Sequence, residues 1–518
     1  MPVNAIQQHK TVADPIAPYE SMLPIWRRNR AICGGERFAK EYDNLLDVRR
    51  FQNLLVPFST NMSQEQFNFF KAEAELPGIT SEYAKMIVGG LLRKKPQLSL
   101  AKGVPKEAMN WLINDFGIDG TSLSIFLDGV LWEEMQTSRC WIQVDYPTVE
   151  NMDNMTKEDF AELRPYPIKW NAESIVNWST ARDSKGRTML SRVIIRTYEE
   201  EFRTNEFHAD LIDTVYVHEL VDGLYQIRKF QSAAPATVEV VNGQKQTKYE
   251  QQGNTFELVS INDTILVNGK RLDFIPIWPA NGNIEVIEPL LTPIIDKEVA
   301  LYNKISRRNH LLYGASTYTP WISSDMSEED FGEIVDKGLG TWIRLRQGDA
   351  IGVLATPSEP LADMEKSIAS AIEEMARLGI RMLSPEVEQS GVALQLRNAS
   401  QTAKLGTLNM RISTVFQDIL AFMLNWRYGL ELKAEDINFS LSDDFSPVPL
   451  GEGWLRLVTE WYEGGLIPRS VWLSLLKQND IIPPEYDDDF GKKEILEDEM
   501  IVSRAEQNAQ DAALNSAY

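Results

Sequence analysis

The sequence predicts an α+β fold that is predominantly helical. Long runs with apolar residues at helical spacing flank a central stretch, and within that stretch the pattern changes to period-two alternation broken by turn dipeptides. The chain has 518 residues, and single cores stop growing at roughly 250–300, so two or more packing units are expected. With 43% hydrophobic and 25% charged residues, the composition is that of a globular protein rather than a disordered one.

Residues 1–165 read as a helical region. Ser63 and Gln66 have capping-box spacing ahead of Phe67, Phe69 and Phe70. Helices are expected over Thr80–Lys95 (stopped by Pro96), Lys106–Phe116 and Ser122–Ser138, and Cys140–Tyr146 has strand character. Residues 166–284 form a β-rich region. Asp222-Gly223 separates the alternating runs Thr214–Val221 and Leu224–Phe230, a hairpin signature that Asn242-Gly243 and Asn268-Gly269 repeat.

Over 285–313, Leu291, Ile295, Val299, Tyr302 and Ile305 mark a long helix. A compact insert at 314–358 follows, with strands expected at Thr319–Ile322, Thr341–Leu345 and Ile351–Ala355 and a short helix at Ser327–Lys337. A second helix, 359–384, carries Leu361, Met364, Ile368, Ile372, Met375, Leu378 and Met382 on one stripe and ends at Ser384-Pro385. Residues 385–398 read as a polar loop. Residues 399–450 hold a third long helix, about Ser400–Trp426, and a return strand through Ile437, Phe439 and Leu441. Residues 451–518 form a helical end with an acidic tail; Glu485–Tyr518 alone holds ten acids and three bases.

There are 75 acidic and 52 basic side chains, a net charge of −23, which excludes a general nucleic-acid coat but not a protein that touches DNA without holding it. Cys33 and Cys140 make no disulfide framework or metal spacing, which points to a reducing compartment. No apolar run approaches a membrane span, and the polar start is no signal peptide, so a soluble, intracellularly made protein with no membrane partner is expected.

Chemical motifs are weak. Gly89-Gly90 before Arg93-Lys94-Lys95 lacks the spacing and hydroxyl of a phosphate loop. His218-Glu219 begins like a zinc-protease helix, but Asp222 stands where the second histidine belongs and the run alternates as a strand; a surface histidine beside a hairpin is the expected reading. Asp489-Phe490-Gly491 matches the kinase tripeptide without its companions. Asp443-Asp444 and Asp487–Asp489 could hold Mg²⁺ in a metal-dependent nuclease, a remote alternative, since consecutive acids on a loop point in different directions. No catalytic residue, metal site or cofactor is expected, and the chain reads as a non-enzyme.

The order of parts is more specific than any motif: helical start, β-rich unit, long helix, small insert, returning helix, Gly/Ser/Gln loop, third long helix, helical tail. That order resembles tailed-phage portal (head-to-tail connector) proteins. Tyr19, Trp26-Arg27-Arg28-Asn29-Arg30, Thr80 leading to Gly89–Pro96, and Gly464-Gly465-Leu466-Ile467-Pro468-Arg469 are similar to a portal family catalogued as a domain of unknown function. Leu92 stands where relatives often carry Phe.

The resemblance implies a wing, stem, clip and crown architecture in a homo-oligomeric ring, a dodecamer at one capsid vertex, through which double-stranded DNA is packaged and ejected. In it, 385–398 would be the tunnel loop, with Gln389, Ser390, Gly391, Arg397 and Lys404 near DNA. Residues 314–358 would be the clip, with Trp321, Trp342, Arg344 and Arg346 as docking candidates. The implied partners are the terminase large subunit, a head-completion or tail adaptor, and the major capsid and scaffolding proteins. The implied location is the virion, and the host cytoplasm during assembly. A virion scaffold or adaptor without a channel is the alternative. Twelve copies at −23 would carry formally −276, and like charge lowers adhesion to a sliding duplex.

Overall fold

A computed structural model describes residues 11–42, 54–57, 62–147 and 163–441, without 184, 203–206, 208, 233–236, 242–243, 249–255, 317–318, 324, 326, 328–347, 355–358 and 380–390, together with scattered residues between 456 and 482. The chain divides into two compact units, Met1–Asp443 and Asp444–Tyr518. About 47% is helical and 25% strand, in several antiparallel sheets, so the fold is α+β and not predominantly helical as the sequence suggested. Two of the central strands run 14 and 12 residues, and even the N-terminal region contributes strands.

The N-terminal helices are α1 (Ala17–Cys33), α2 (Glu36–Tyr42), α3 (Gln64–Glu73) and α4 (Ile79–Leu91). The Ser63 hydroxyl accepts from Gln66 N and the Gln66 side chain accepts from Ser63 N, the expected capping box. Strand β1 (Gln97–Leu100) leads to α5 (Lys106–Asn114), α6 (Leu123–Thr137) and β2 (Trp141–Asp145). The fully buried Trp26 of α1 meets Tyr19 edge-on at 5.6 Å and belongs to a core with Trp141, Trp178, Val193, Ile195 and Val215.

After β3 (Tyr166–Trp170) come β4 (Ile175–Arg182), β5 (Thr188–Glu201), β6 (Asp210–Val221) and β7 (Leu224–Ser232). These last four form a meander that β10 (Phe256–Asn262) extends, in the order β10-β7-β6-β5-β4, while β8 (Thr237–Val241) and β9 (Gln244–Lys248) pair with each other. Asp222 and Gly223 have φ of 52° and 77°, the left-handed pair that a two-residue hairpin requires. Asn268 and Gly269, at 52° and 75°, repeat that turn between β11 (Leu266–Val267) and β12 (Lys270–Arg271). Strand β13 (Ile277–Pro279) completes a three-stranded sheet with β2 and β3.

The remaining elements are α7 (Thr292–Ser316), β14 (Thr319–Ser323), β15 (Ala350–Leu354), α8 (Glu359–Gly379), α9 (Gly391–Tyr428) and β16 (Ile437–Ser440). β16 pairs with β1, joining segments some 340 positions apart. Phe416 of α9 lies 6.4 Å from both Phe116 and Phe126 and 5.4 Å from Phe439, forming a second, aromatic core.

Two buried carboxylates, Glu133 of α6 and Glu298 of α7, tie α1 to α6 and α4 to α7. Arg30 binds Glu173 through Nε and Nη2, both at 2.6 Å, and its Nη2 also meets Glu133 at 2.5 Å. Helix α4 follows Gly78, which has no side chain to cap it. The fully buried Glu298 of α7 does so instead, accepting from Ile79 N (2.9 Å) and Thr80 N (2.7 Å). Among the described residues no helix is long and apolar enough to cross a membrane. In the second unit, Tyr462 stacks on Trp472 at 4.7 Å and accepts from Arg469 Nη1.

Candidate functional site: the helical hairpin, its ribbon and the long helix

One side of α7 is apolar, and Ile294, Ile295, Leu301, Tyr302 and Ile305 are buried there. Asn303 fixes the segment 54–57 in place: its Nδ2 donates to Leu54 O, and its Oδ1 accepts from Val56 N, each at 2.7 Å. At its far end, Asn309 Nδ2 donates to Glu73 O, and Phe70 meets His310 edge-on at 5.5 Å.

Helix α8 runs back along α7. Lys297 Nζ meets Glu374 at 2.6 Å and Lys304 Nζ donates to Ser367 O at 3.5 Å. A step of seven forward on α7 is thus a step of seven backward on α8, which is antiparallel packing over two turns. Leu361, Met364, Ile368 and Met375 are the less exposed positions of α8, at the three-and-four spacing of a single seam. Only Met375 is fully buried among the described positions of this helix, and Ile372 is 41% exposed.

The ribbon strands, which lie between the two helices in the chain, are antiparallel as well, but their pairing is offset by two residues from that of the helix contacts. Thr319 pairs with Leu354 and Ser323 with Ala350, so in chain order an antiparallel helix pair encloses an antiparallel strand pair, together called the arm below. Trp321 lies opposite Gly352, and a Cβ at that glycine would come within 2.6 Å of the indole ring. The close approach explains why a glycine interrupts the strand. Trp321 and Ile351 remain exposed, as do Leu312 and Tyr313 near the end of α7. Apolar surface is therefore spread along the arm from α8 to the ribbon.

Helix α9 has 38 residues and begins at Gly391, nine positions earlier than expected, so Gly391 to Arg397 belong to a helix rather than to the loop. Arg397 and Lys404 lie on it, two turns apart. Gln389 and Ser390 lie outside the described residues, as do Trp342, Arg344, Arg346, most of the insert tip and Asp487–Asp489. Of the docking candidates, Trp321 alone is described. The helix closes at Gly429 (φ 67°), whose N–H returns to Asn425 O at 2.9 Å.

His218 is buried rather than on the surface. Its Nδ1 is 2.7 Å from the Tyr225 hydroxyl, and burial pushes its pKa down to about 3, so it stays neutral. Glu219 is held by Arg192 (3.2 Å) and Arg228 (2.7 Å). The pair is a structural part of β6, not half of a zinc site.

A cleft of about 390 Å³ lies beside α9, lined by Thr407, Leu408 and Arg411 of that helix, by Leu290, and by Glu134 and Asn281. Glu134 is buried, with Cys140 N donating to Oε1 (2.7 Å) and Asn281 Nδ2 to Oε2 (3.0 Å). Burial pushes its pKa up to about 7, Glu133 adds to the rise, and the two hydrogen bonds and Arg139 oppose it. Nothing in the sequence singled out Glu134 and Glu298, because Asn281 lies far from Glu134 in the chain, and Ile79 and Thr80 far from Glu298. Gly352 had a signal, a glycine inside an alternating run.

Residues 289–427 match the model of a family described as a domain of unknown function (DUF4055), about a quarter of the chain. The matched residues take in the hairpin, the ribbon and nearly all of α9. No curated protein matches the sequence. Among solved structures, the chain is similar to one from the virion of a native gene transfer agent particle, at 10% identity and a TM-score of 0.35, covering 77% of this chain and 89% of that one. It is similar at 11% identity, with the same TM-score and coverage, to a chain in the neck of an empty gene transfer agent particle. A TM-score of 0.35 falls short of a shared fold, and the functional reading rests on the chain's own elements.

Proposed function

We propose that the chain is a virion structural protein of the portal type, a homo-oligomeric ring at one capsid vertex through which double-stranded DNA passes. The observation that supports this most is the antiparallel arm: α7 and α8 packed along one seam, enclosing the paired strands β14 and β15 in the chain and followed by the 38-residue α9. In a single copy α8 rests on α7 along one stripe, and Ile372, Leu312, Tyr313, Trp321 and Ile351 face water. Surface of this kind marks an assembly site, and copies placed side by side cover it head to tail, the arrangement that closes into a ring.

In this reading the chain does no chemistry of its own. A terminase large subunit docks on the ribbon end during packaging and a tail adaptor later takes the same place, while capsid and scaffolding proteins surround the ring. The segment 385–390 and the start of α9 line the channel, where an acidic ring lets a duplex slide. Negative-stain microscopy of the purified full-length protein tests the reading. Rings with a central hole support it, whereas a compact oligomer without a hole points to a scaffold or adaptor.

A further inference from the structure

A groove of about 410 Å³ lies between β1 and the start of α5, well away from the hairpin in sequence. Its apolar lining is Leu98, Leu100, Val104, Pro105 and Met109, with Lys106 at its edge. Among the described residues β1 pairs with β16 alone. Its second edge therefore presents backbone N–H and C=O groups of the kind that accept an added strand.

Charge gives the groove a preference. Residues 93–106 hold five bases and no acid, in a chain whose net charge is −23. Lys95, Lys102 and Lys106 are exposed, while Arg93 and Lys94 already interact with other groups. Helix α5 opens on Pro105 with no side-chain cap, which leaves the positive end of its dipole at the groove. The nearby acids are Glu107 in the first turn of α5, and Glu435 and Asp436 just before β16.

We propose that this groove docks an extended, acidic and apolar segment of another polypeptide, added as a strand to the free edge of β1. Alternate side chains of such a segment enter the Leu98–Leu100–Met109 lining, and the others carry carboxylates to Lys102, Lys106 and the start of α5. DNA fits the site less well, since the lining is aliphatic and offers no aromatic platform for bases. The inference does not depend on the ring.

Fluorescence anisotropy with the full-length protein tests it. The probe is a labelled peptide of about eight residues alternating valine and glutamate, a typical strand length. The comparison probes are the valine–lysine counterpart and a short duplex DNA. The valine–glutamate peptide is expected to bind, more weakly as salt rises, and the double variant Lys102→Glu/Lys106→Glu is expected to weaken it on the order of tenfold. Ser99→Pro, which leaves charge unchanged but removes an N–H from β1, is expected to weaken it too. Circular dichroism confirms that each variant is folded. Failure of the acidic peptide to bind overturns the proposal, and so does equal binding of both peptides. DNA binding that the double variant abolishes, without peptide binding, reassigns the patch to nucleic acid.

Discussion

Replacing Glu134 by Gln tests the buried end of α6. The carboxyl is enclosed, hydrogen-bonded to Cys140 N and Asn281 Nδ2, flanked by Glu133 and Arg139, and turned toward a cleft that Glu288 and Arg411 also line. The rise from the ordinary 4.5 to about 7 corresponds to about 3 kcal/mol between the two protonation states. Because the folded state holds the proton more tightly than the unfolded one, this stabilisation is complete below the unfolded value and is lost as pH rises through about 7. Between about pH 5 and pH 8 the wild type should therefore lose about 2–3 kcal/mol through this group, and Glu134→Gln should not. Glutamine turns a donor toward Asn281, so the variant also carries a pH-independent cost of about 1–3 kcal/mol. The informative quantity is the slope of the difference with pH, not its absolute value. Urea unfolding at a series of pH values, followed by tryptophan fluorescence with the buried Trp141 next to Cys140 as reporter, measures it. Parallel curves for wild type and variant would refute the reasoning.

Glu298→Ala should lower stability by about 2–4 kcal/mol, since it leaves Ile79 N and Thr80 N without their acceptor in a buried place; a fall in thermal midpoint checks this, and an unchanged midpoint contradicts the capping role. Gly352→Ala should push the Trp321 indole off the ribbon, read as a change in Trp321 emission and, on the portal reading, as weaker terminase docking with rings intact. On the same portal reading, deleting residues 386–390 should leave assembly unchanged and reduce DNA packaging; loss of rings would make the segment structural.

Local signals in the sequence were reliable guides to local structure. The Ser63–Gln66 box and the Asp222-Gly223 and Asn268-Gly269 turns each depend on residues within one turn of each other, and each formed; of the α8 stripe, Leu361, Met364, Ile368 and Met375 are the less exposed positions, Ile372 is exposed, and Met382 lies outside the described residues. The helical bias failed where pairing is remote: β1 has four residues and finds its partner at Ile437–Ser440, so no periodicity announced it. The start of α9 is placed too late, at about Ser400, because Gln389, Ser390 and Gly391 read as a polar loop that extends to Arg397, although the helix already holds Gly391 to Arg397. At the candidate site, the hairpin and ribbon were legible as order and stripe. The pairing of the helices, the pairing of the strands and the Trp321–Gly352 contact were not, since each depends on which residues meet across the arm. His218 shows the same limit, because alternation placed it on a strand without saying that Tyr225 would cover it.

The central claim is that copies of the arm pack side by side around a channel. Cryo-electron microscopy of the purified full-length protein at high concentration tests it most directly. Rings are expected, with α7 and α8 of each copy against those of the next, Ile372 and Tyr313 covered, and an axial hole wide enough for a DNA duplex. A protein that stays monomeric under every assembly condition, or that associates through other surfaces with the arm left exposed, would contradict it.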